Sequence, residues 1–254
     1  MTDPAAMRGG RHLREKPGPS LAHKVPPPSG NYQWVYLWEW PIRAMHWIAA
    51  LCIVALVLTG FYIGRPYFMT GGEASAHYLM GTVRLVHFAA AGLLIATAII
   101  RFYWLFMGNK FERFAALFPV RGRDWANLVR MVKYYLMIQP EKAPVYLGHN
   151  PLQQLWYTFM YFVAGVQVIT GFAMYGQVAP EGFFYSTFNW VVRLFGGIQE
   201  VHFVHHMATW IFLIFLPVHV YLAFRADHLE RTGTISSIVS GGRFVSQDAR
   251  YVDE

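Results

Sequence analysis

A chain of 254 residues that is 55% hydrophobic and only 14% charged lies well below the charged fraction of about 25% usual in soluble domains. Its single cysteine, Cys52, excludes an internal disulfide, a four-thiolate iron–sulfur cluster and a CxxCH haem attachment. The net charge of +7 is spread over the segments between apolar blocks, which suits a membrane surface rather than nucleic acid.

Residues 1–31 are basic and Pro-rich, with Arg8, Arg11, Arg14, Lys16 and Lys24 and no apolar signal-peptide core. They read as a disordered cytoplasmic tail. Four apolar blocks follow, at about 44–64, 85–107, 155–175 and 201–224, each near the roughly 20 residues that span a bilayer. The expected fold is therefore all-α, an integral membrane four-helix bundle over residues 32–230. Residues 231–254 are left as a cytoplasmic C-terminal tail.

Seventeen Lys/Arg fall in the N-terminal segment, the loop after the second block and the C-terminal tail, against three (Arg65, Arg84 and Arg193) in the two opposite loops. The positive-inside rule then puts both termini in the cytoplasm of a multi-pass protein of the bacterial inner membrane. Aromatic residues make up 17% of the chain, as interfacial belts require. Between Arg123 and Ile138, Trp125, Leu128, Val129, Val132 and Leu136 recur at helical spacing. This predicts an amphipathic helix, either lying on the inner leaflet or packed on the bundle.

Val57-Leu58-Thr59-Gly60-Phe61 is echoed by Val168-Ile169-Thr170-Gly171-Phe172. A glycine there admits a neighbouring helix or a flat cofactor. A chance match of common membrane residues explains the echo equally well.

Histidine inside a membrane helix needs a partner, which makes it a candidate for function. His46 lies near the cytoplasmic start of the first block and His87 near the outer start of the second. The fourth block carries His202, His205 and His206 near its outer end and His219 near its inner end. At 100° per residue, the 14 steps from His205 to His219 come within about 40° of whole turns, over roughly 21 Å of rise. His206 and His202 fall about 140° and 100° away from His219. The angle favours His205 and leaves the other two as alternatives, since Pro217 can bend the helix.

Two pairs follow, His87 with His205 near the outer face and His46 with His219 near the inner face. Each pair suits the iron of one haem b, so two haems per chain are expected, stacked across the bilayer for electron transfer. Arg43 and Arg84 stand three residues before His46 and His87, on the same helix faces, and are candidates for the haem propionates. Arg43 serves equally as a positive-inside anchor. Arg101 either snorkels inward or pairs with the inner haem. His149, in Gly148-His149-Asn150-Pro151, could bond a quinone carbonyl. Alternatively the motif only starts the third helix, with Asn150 as cap and Pro151 in the first turn. His12, His23, His77 and His228 read as loop residues.

The segments Tyr36-Leu37-Trp38-Glu39-Trp40-Pro41-Ile42-Arg43-Ala44-Met45-His46-Trp47 and Met80-Gly81-Thr82-Val83-Arg84-Leu85-Val86-His87-Phe88 resemble the b-type cytochrome subunit of membrane-bound nickel–iron (NiFe) uptake hydrogenases. Gly108-Asn109, Gly148-His149-Asn150-Pro151 and the stretch from His202 through His219-Val220-Tyr221 to Asp227 extend the likeness. It covers roughly residues 32–245 and is related to that of formate dehydrogenase gamma subunits. The resemblance implies a haem-binding anchor for the small and large subunits of a periplasmic hydrogenase. Such an anchor takes electrons from an iron–sulfur cluster of the small subunit and reduces quinone, either menaquinone or ubiquinone. It also implies His46, His87, His205 and His219 as iron ligands, with His206 a departure that leaves two neighbouring candidates. The chain itself would do no chemistry on hydrogen. Rival readings are the same role beside another dehydrogenase, such as formate dehydrogenase, and a transporter whose histidines bind metal in transit.

Overall fold

The computed structural model describes residues 31–68, 71–72, 77–138, 144–247 and 251–253. The basic N-terminal stretch lies outside the described residues, as do His12, His23, Lys142 and Arg250.

Strand β1 (Tyr32–Tyr36) leads into α1 (Trp40–Gly64), where Pro41 occupies the first turn. A proline fits there because that amide has no helical partner to lose. The chain then forms α2 (Leu79–Met107), the single turn α3 (Phe114–Leu117), α4 (Gly122–Tyr135) and α5 (Pro151–Gly176). It continues through α6 (Phe183–Phe195), α7 (Ile198–Glu230), α8 (Thr234–Ser240) and β2 (Gly242–Ser246). Four helices are long and apolar enough to cross a membrane: α1, α2, α5 and α7. The ends differ from the apolar blocks. α2 starts at Leu79 rather than 85, and α7 runs to Glu230 rather than 224, so His228 is helical and not a loop residue. Backbone hydrogen bonding carries a helix on after its apolar stretch stops. Pro217 lies inside α7 without ending it.

Helices α1 and α2 pack closely on each other, as do α5 and α7, and the two pairs meet mainly where α1 approaches α7. Few side chains of α2 are buried by the protein itself, Thr97 and Leu105 among them, because its flanks face outward or line the space between the pairs. Helix α6, a feature absent from the block pattern, folds back beneath α5. Val191 of α6 packs with Ala173 of α5 and Val201 of α7. Gly176 makes this turn possible, since a Cβ there would stand 2.8 Å from Tyr185 N.

The opposite end, called here the sheet end, is tied by an antiparallel pair in which Tyr36 faces Gly242 and Tyr32 faces Ser246. The segment read as a C-terminal tail thus carries a helix and a strand. Leu37, Phe111, Leu147 and Val245 form a small core beneath the pair. Asn109 Nδ2 donates to Leu37 O at 2.8 Å, and Asp253 accepts from Leu147 N and Gly148 N at 2.7 Å each. Helix α4 packs on the bundle through one face and leaves another apolar face exposed. Met131 and Tyr134 are buried against Leu152, while Trp125, Val129, Val132 and Leu136 stay exposed as one stripe.

Candidate functional site

A continuous cavity of about 3400 Å³ separates the two helix pairs and reaches from the far end to the sheet end. Sites for a single small molecule usually occupy about 300–1,000 Å³, so this space exceeds one ligand. His46, His87, His149, His202, His205, His206 and His219 all line it.

Near the sheet end, the rings of His46 (α1) and His219 (α7) face each other with centroids 6.4 Å apart. Phe215, one turn before His219, stacks on that ring at 5.2 Å. His46 Nδ1 is buried without a hydrogen-bond partner. Near the far end, His87 (α2) and His205 (α7) both line the cavity. His87 Nδ1 is 2.8 Å from Thr59 Oγ1 on α1, and His205 Nδ1 is 2.8 Å from Thr170 Oγ1 on α5. The following glycines flank the same rings. A Cβ on Gly60 would lie 3.5 Å from His87 Cε1, and one on Gly171 would lie 3.5 Å from His205 Cε1.

The other outer candidates behave differently. His206 turns toward the end of α1, where its ring meets Phe61 edge-on at 5.3 Å and its Nδ1 would lie 3.6 Å from a Cβ on Gly64. His202 is exposed and shares a hydrogen bond with Ile198 O at 2.8 Å. One turn of sequence therefore sends three histidines toward three different neighbours.

The predicted arginines divide as well. Arg43 donates to Val239 O and, at 3.4 Å, to Tyr36 Oη, so it braces α8. Arg84 is exposed at the far end of the cavity and makes no hydrogen bond or ion pair among the described residues. Arg101 donates to Glu112 O at 3.0 Å through one nitrogen and leaves Nη1 buried without a partner.

His149 sits between Trp38 and Tyr157, at 5.0 and 5.1 Å between ring centroids. The motif around it starts α5 as proposed, with Asn150 Oδ1 accepting from Gln153 N and Gln153 Oε1 from Asn150 N, both at 3.0 Å. Its Nδ1 nonetheless points at no partner. Burial, then the Arg101 charge and then His219, push the His149 imidazole down to about 3. With the usual histidine value near 6.5, the unfolded chain binds the extra proton between those two values and the folded chain does not. Stability due to this ring is therefore full above pH ~6.5 and is lost as pH falls toward 3. His149→Gln is expected to flatten the acid side of the melting profile in detergent, by up to about 3 kcal/mol at pH 4. A profile between pH 7 and 4 that is as steep as the wild type's would contradict this.

Tyr157, Thr59 and Thr170 are the site residues that ligand spacing did not single out. The echo around the threonines was their only visible signal, because their role depends on which helix stands opposite.

The profile of the prokaryotic cytochrome b561 family matches residues 37–241. The chain is 42% identical over 216 residues to a probable Ni/Fe-hydrogenase B-type cytochrome subunit of Rhizobium leguminosarum bv. viciae, covering 83% of this chain and 89% of that protein. A probable Ni/Fe-hydrogenase B-type cytochrome subunit of Cupriavidus necator is 40% identical over 211 residues, with 82% and 86% covered. A probable Ni/Fe-hydrogenase 1 B-type cytochrome subunit of Escherichia coli is 34% identical over 214 residues, with 82% and 90% covered.

The group such a family implies is b-type haem, and the residues fit it. Metal–imidazole bonds of about 2 Å put the ring centres of two ligands on opposite sides of one metal roughly 6 Å apart, close to the His46–His219 spacing. Among the described residues no three His, Cys, Asp or Glu side chains gather around one point. Histidines in twos suit an iron that brings four nitrogens of its own. By its residues, its helices and its likeness over four-fifths of its length, the chain belongs to the prokaryotic cytochrome b561 family, among the Ni/Fe-hydrogenase B-type cytochrome subunits.

Proposed function

We propose that the chain holds two b-type haems and carries electrons across the bacterial inner membrane, from a NiFe hydrogenase to quinone. One observation supports this most: two histidine pairs, drawn from α1, α2 and α7, line one cavity near its opposite ends. His46 and His219 would ligate iron at the sheet end, and His87 and His205 at the far end. A bis-histidine b-type haem supplies a saturated iron that takes up and gives back one electron without binding substrate.

Loop charge assigns the faces. The sheet end carries most of the Lys/Arg and is the cytoplasmic side, with both termini there. The far end then meets the small subunit of the hydrogenase, whose large subunit acts on hydrogen. The relatives' names support a Ni/Fe-hydrogenase as the partner. Arg84 would meet a propionate at the far end, and Arg101, with Nη1 unpartnered, one at the sheet end. Arg43 is better explained as a brace for α8. His149, flanked by Tyr157 and Trp38, offers an uncharged ring to a quinone carbonyl at the cytoplasmic side. The bundle over residues 32–230 is the conducting part, and residues 231–254 close its cytoplasmic end.

The test is a reduced-minus-oxidised spectrum of the purified complex, with pyridine-haemochrome quantitation per chain. Low-spin b-type bands at two haems per chain, with nickel co-purifying, are expected. One haem per chain would overturn the two-site assignment. Co-purification of molybdenum instead of nickel would move the chain to another dehydrogenase.

A further inference from the structure

The far-end histidines are held from behind by a device that occurs twice. Each threonine hydroxyl lies 2.8 Å from a histidine Nδ1 and also 2.6 Å from a carbonyl one turn earlier, Thr59 from Ala55 O and Thr170 from Val166 O. A hydroxyl has one proton, and the carbonyl can only accept. The proton therefore lies toward the carbonyl, and the threonine oxygen accepts from the imidazole. Nδ1 must carry hydrogen, so Nε2 keeps its lone pair.

The duplication extends beyond the threonines. Thr59 and Thr170 are 111 positions apart, and His87 and His205 are 118 apart. In both halves the histidine follows a valine, Val86 and Val204. The first helix of each pair thus supplies a Thr-Gly step, and the second supplies the histidine it holds. At the other end the same offsets match His46 with Tyr157 and Arg101 with His219, so the repeat is broken there. His46 Nδ1 has no hydrogen-bond partner.

We propose that Thr59 and Thr170 are positioning residues that fix both far-end imidazoles as the Nδ1–H tautomer and lower the reduction potential of the far-end site. This rests on the assignment of His87 and His205 as iron ligands. A hydrogen bond accepted from Nδ1–H makes a ligand more basic, and a more basic ligand favours the oxidised iron. His46 lacks such an acceptor, so this effect holds an electron less firmly at the far end than at the sheet end. The slope favours passage toward the sheet end. Gly60 and Gly171 complete the device by leaving the flank of each ring clear.

The test is a redox titration of the intact complex carrying Thr59→Val and Thr170→Val, followed in the visible bands with haem quantitation. His87→Ala identifies the far-end component. Valine keeps the shape of threonine and removes the acceptor. The far-end component is expected to move to higher potential while the other stays in place, and the position of its low-spin ferric EPR signal should change. Thr59→Ser and Thr170→Ser, which retain the hydroxyl, should titrate like the wild type. If the double valine variant does not accumulate, each single variant should give a smaller shift of the same sign. Two haems with unchanged potentials in the valine variants would overturn the proposal, as would serine variants that behave like valine. Fewer than two haems in the unsubstituted complex would instead sink the two-site assignment.

Discussion

Replacing His205 by alanine is expected to cut the haem content from two per chain to one, whereas His206→Gln should keep both. The two residues are neighbours in sequence but face different helices. His205 is backed by Thr170 at 2.8 Å and flanked by Gly171. His206 is packed edge-on against Phe61 of α1 at 5.3 Å. A haem that lost one of its two imidazole ligands would be held more weakly, so the far-end haem should be lost or turn high-spin. Electron transfer from hydrogen to quinone should fall at least about tenfold, which corresponds to roughly 1.4 kcal/mol of barrier. The visible spectrum with haemochrome quantitation checks the first part. The opposite pattern, with His206→Gln losing the haem, would move the ligand by one residue and remove the basis for the Thr170 device.

The second large effect is expected at Arg243, which sits in β2 and is almost buried. Its guanidinium donates to Glu230, to Thr232 Oγ1 at 2.5 Å and to Leu147 O at 3.2 Å, joining α7, β2 and the segment before α5. Arg243→Met keeps the length of the side chain and removes all three donations. Breaking a buried ion pair from one side costs about 3–5 kcal/mol. Glu230 is 36% exposed and regains water, so about 2–3 kcal/mol is the expected loss. The melting temperature of the detergent-solubilised protein should drop by several degrees. Arg243→Met with Glu230→Gln should recover part of that loss, because no charge is then left unpaired. An unchanged melting temperature in the single variant would show that the sheet-end tie is not what holds the three segments together.

Much of this architecture can be read from the residues, and the reason differs by element. A run of about 20 apolar residues has few alternatives to a spanning helix, so the four spans and the angle linking His205 to His219 are visible in the chain. Their ends are not, because helical hydrogen bonds extend α2 and α7 past the apolar stretch without a marker. Helix α6 mixes Phe, Tyr and Trp with polar residues, and its boundaries are Gly182 before it and Gly196, at φ 88°, after it. Those glycines are the signal that could have exposed it. The β1–β2 pair joins opposite ends of the sequence, and five-residue strands carry too little pattern to announce a partner so distant. The Thr-Gly steps were visible as an echo. Only the folded helices show that each faces a histidine on the next helix of its own pair.

That distant strand pair has a bearing on how the protein is made. Arg243 and Val245 of β2 form part of the cavity wall at the sheet end, yet they follow all four spanning helices in the chain and leave the ribosome after them. Until then β1 has no partner and that wall is missing, while all four spanning helices are already synthesised. Pairing of strands so far apart is slow compared with helix formation. The nascent bundle therefore passes through an interval in which its sheet end is open. β2, the last of the described elements, then completes the wall and acts as a latch on assembly.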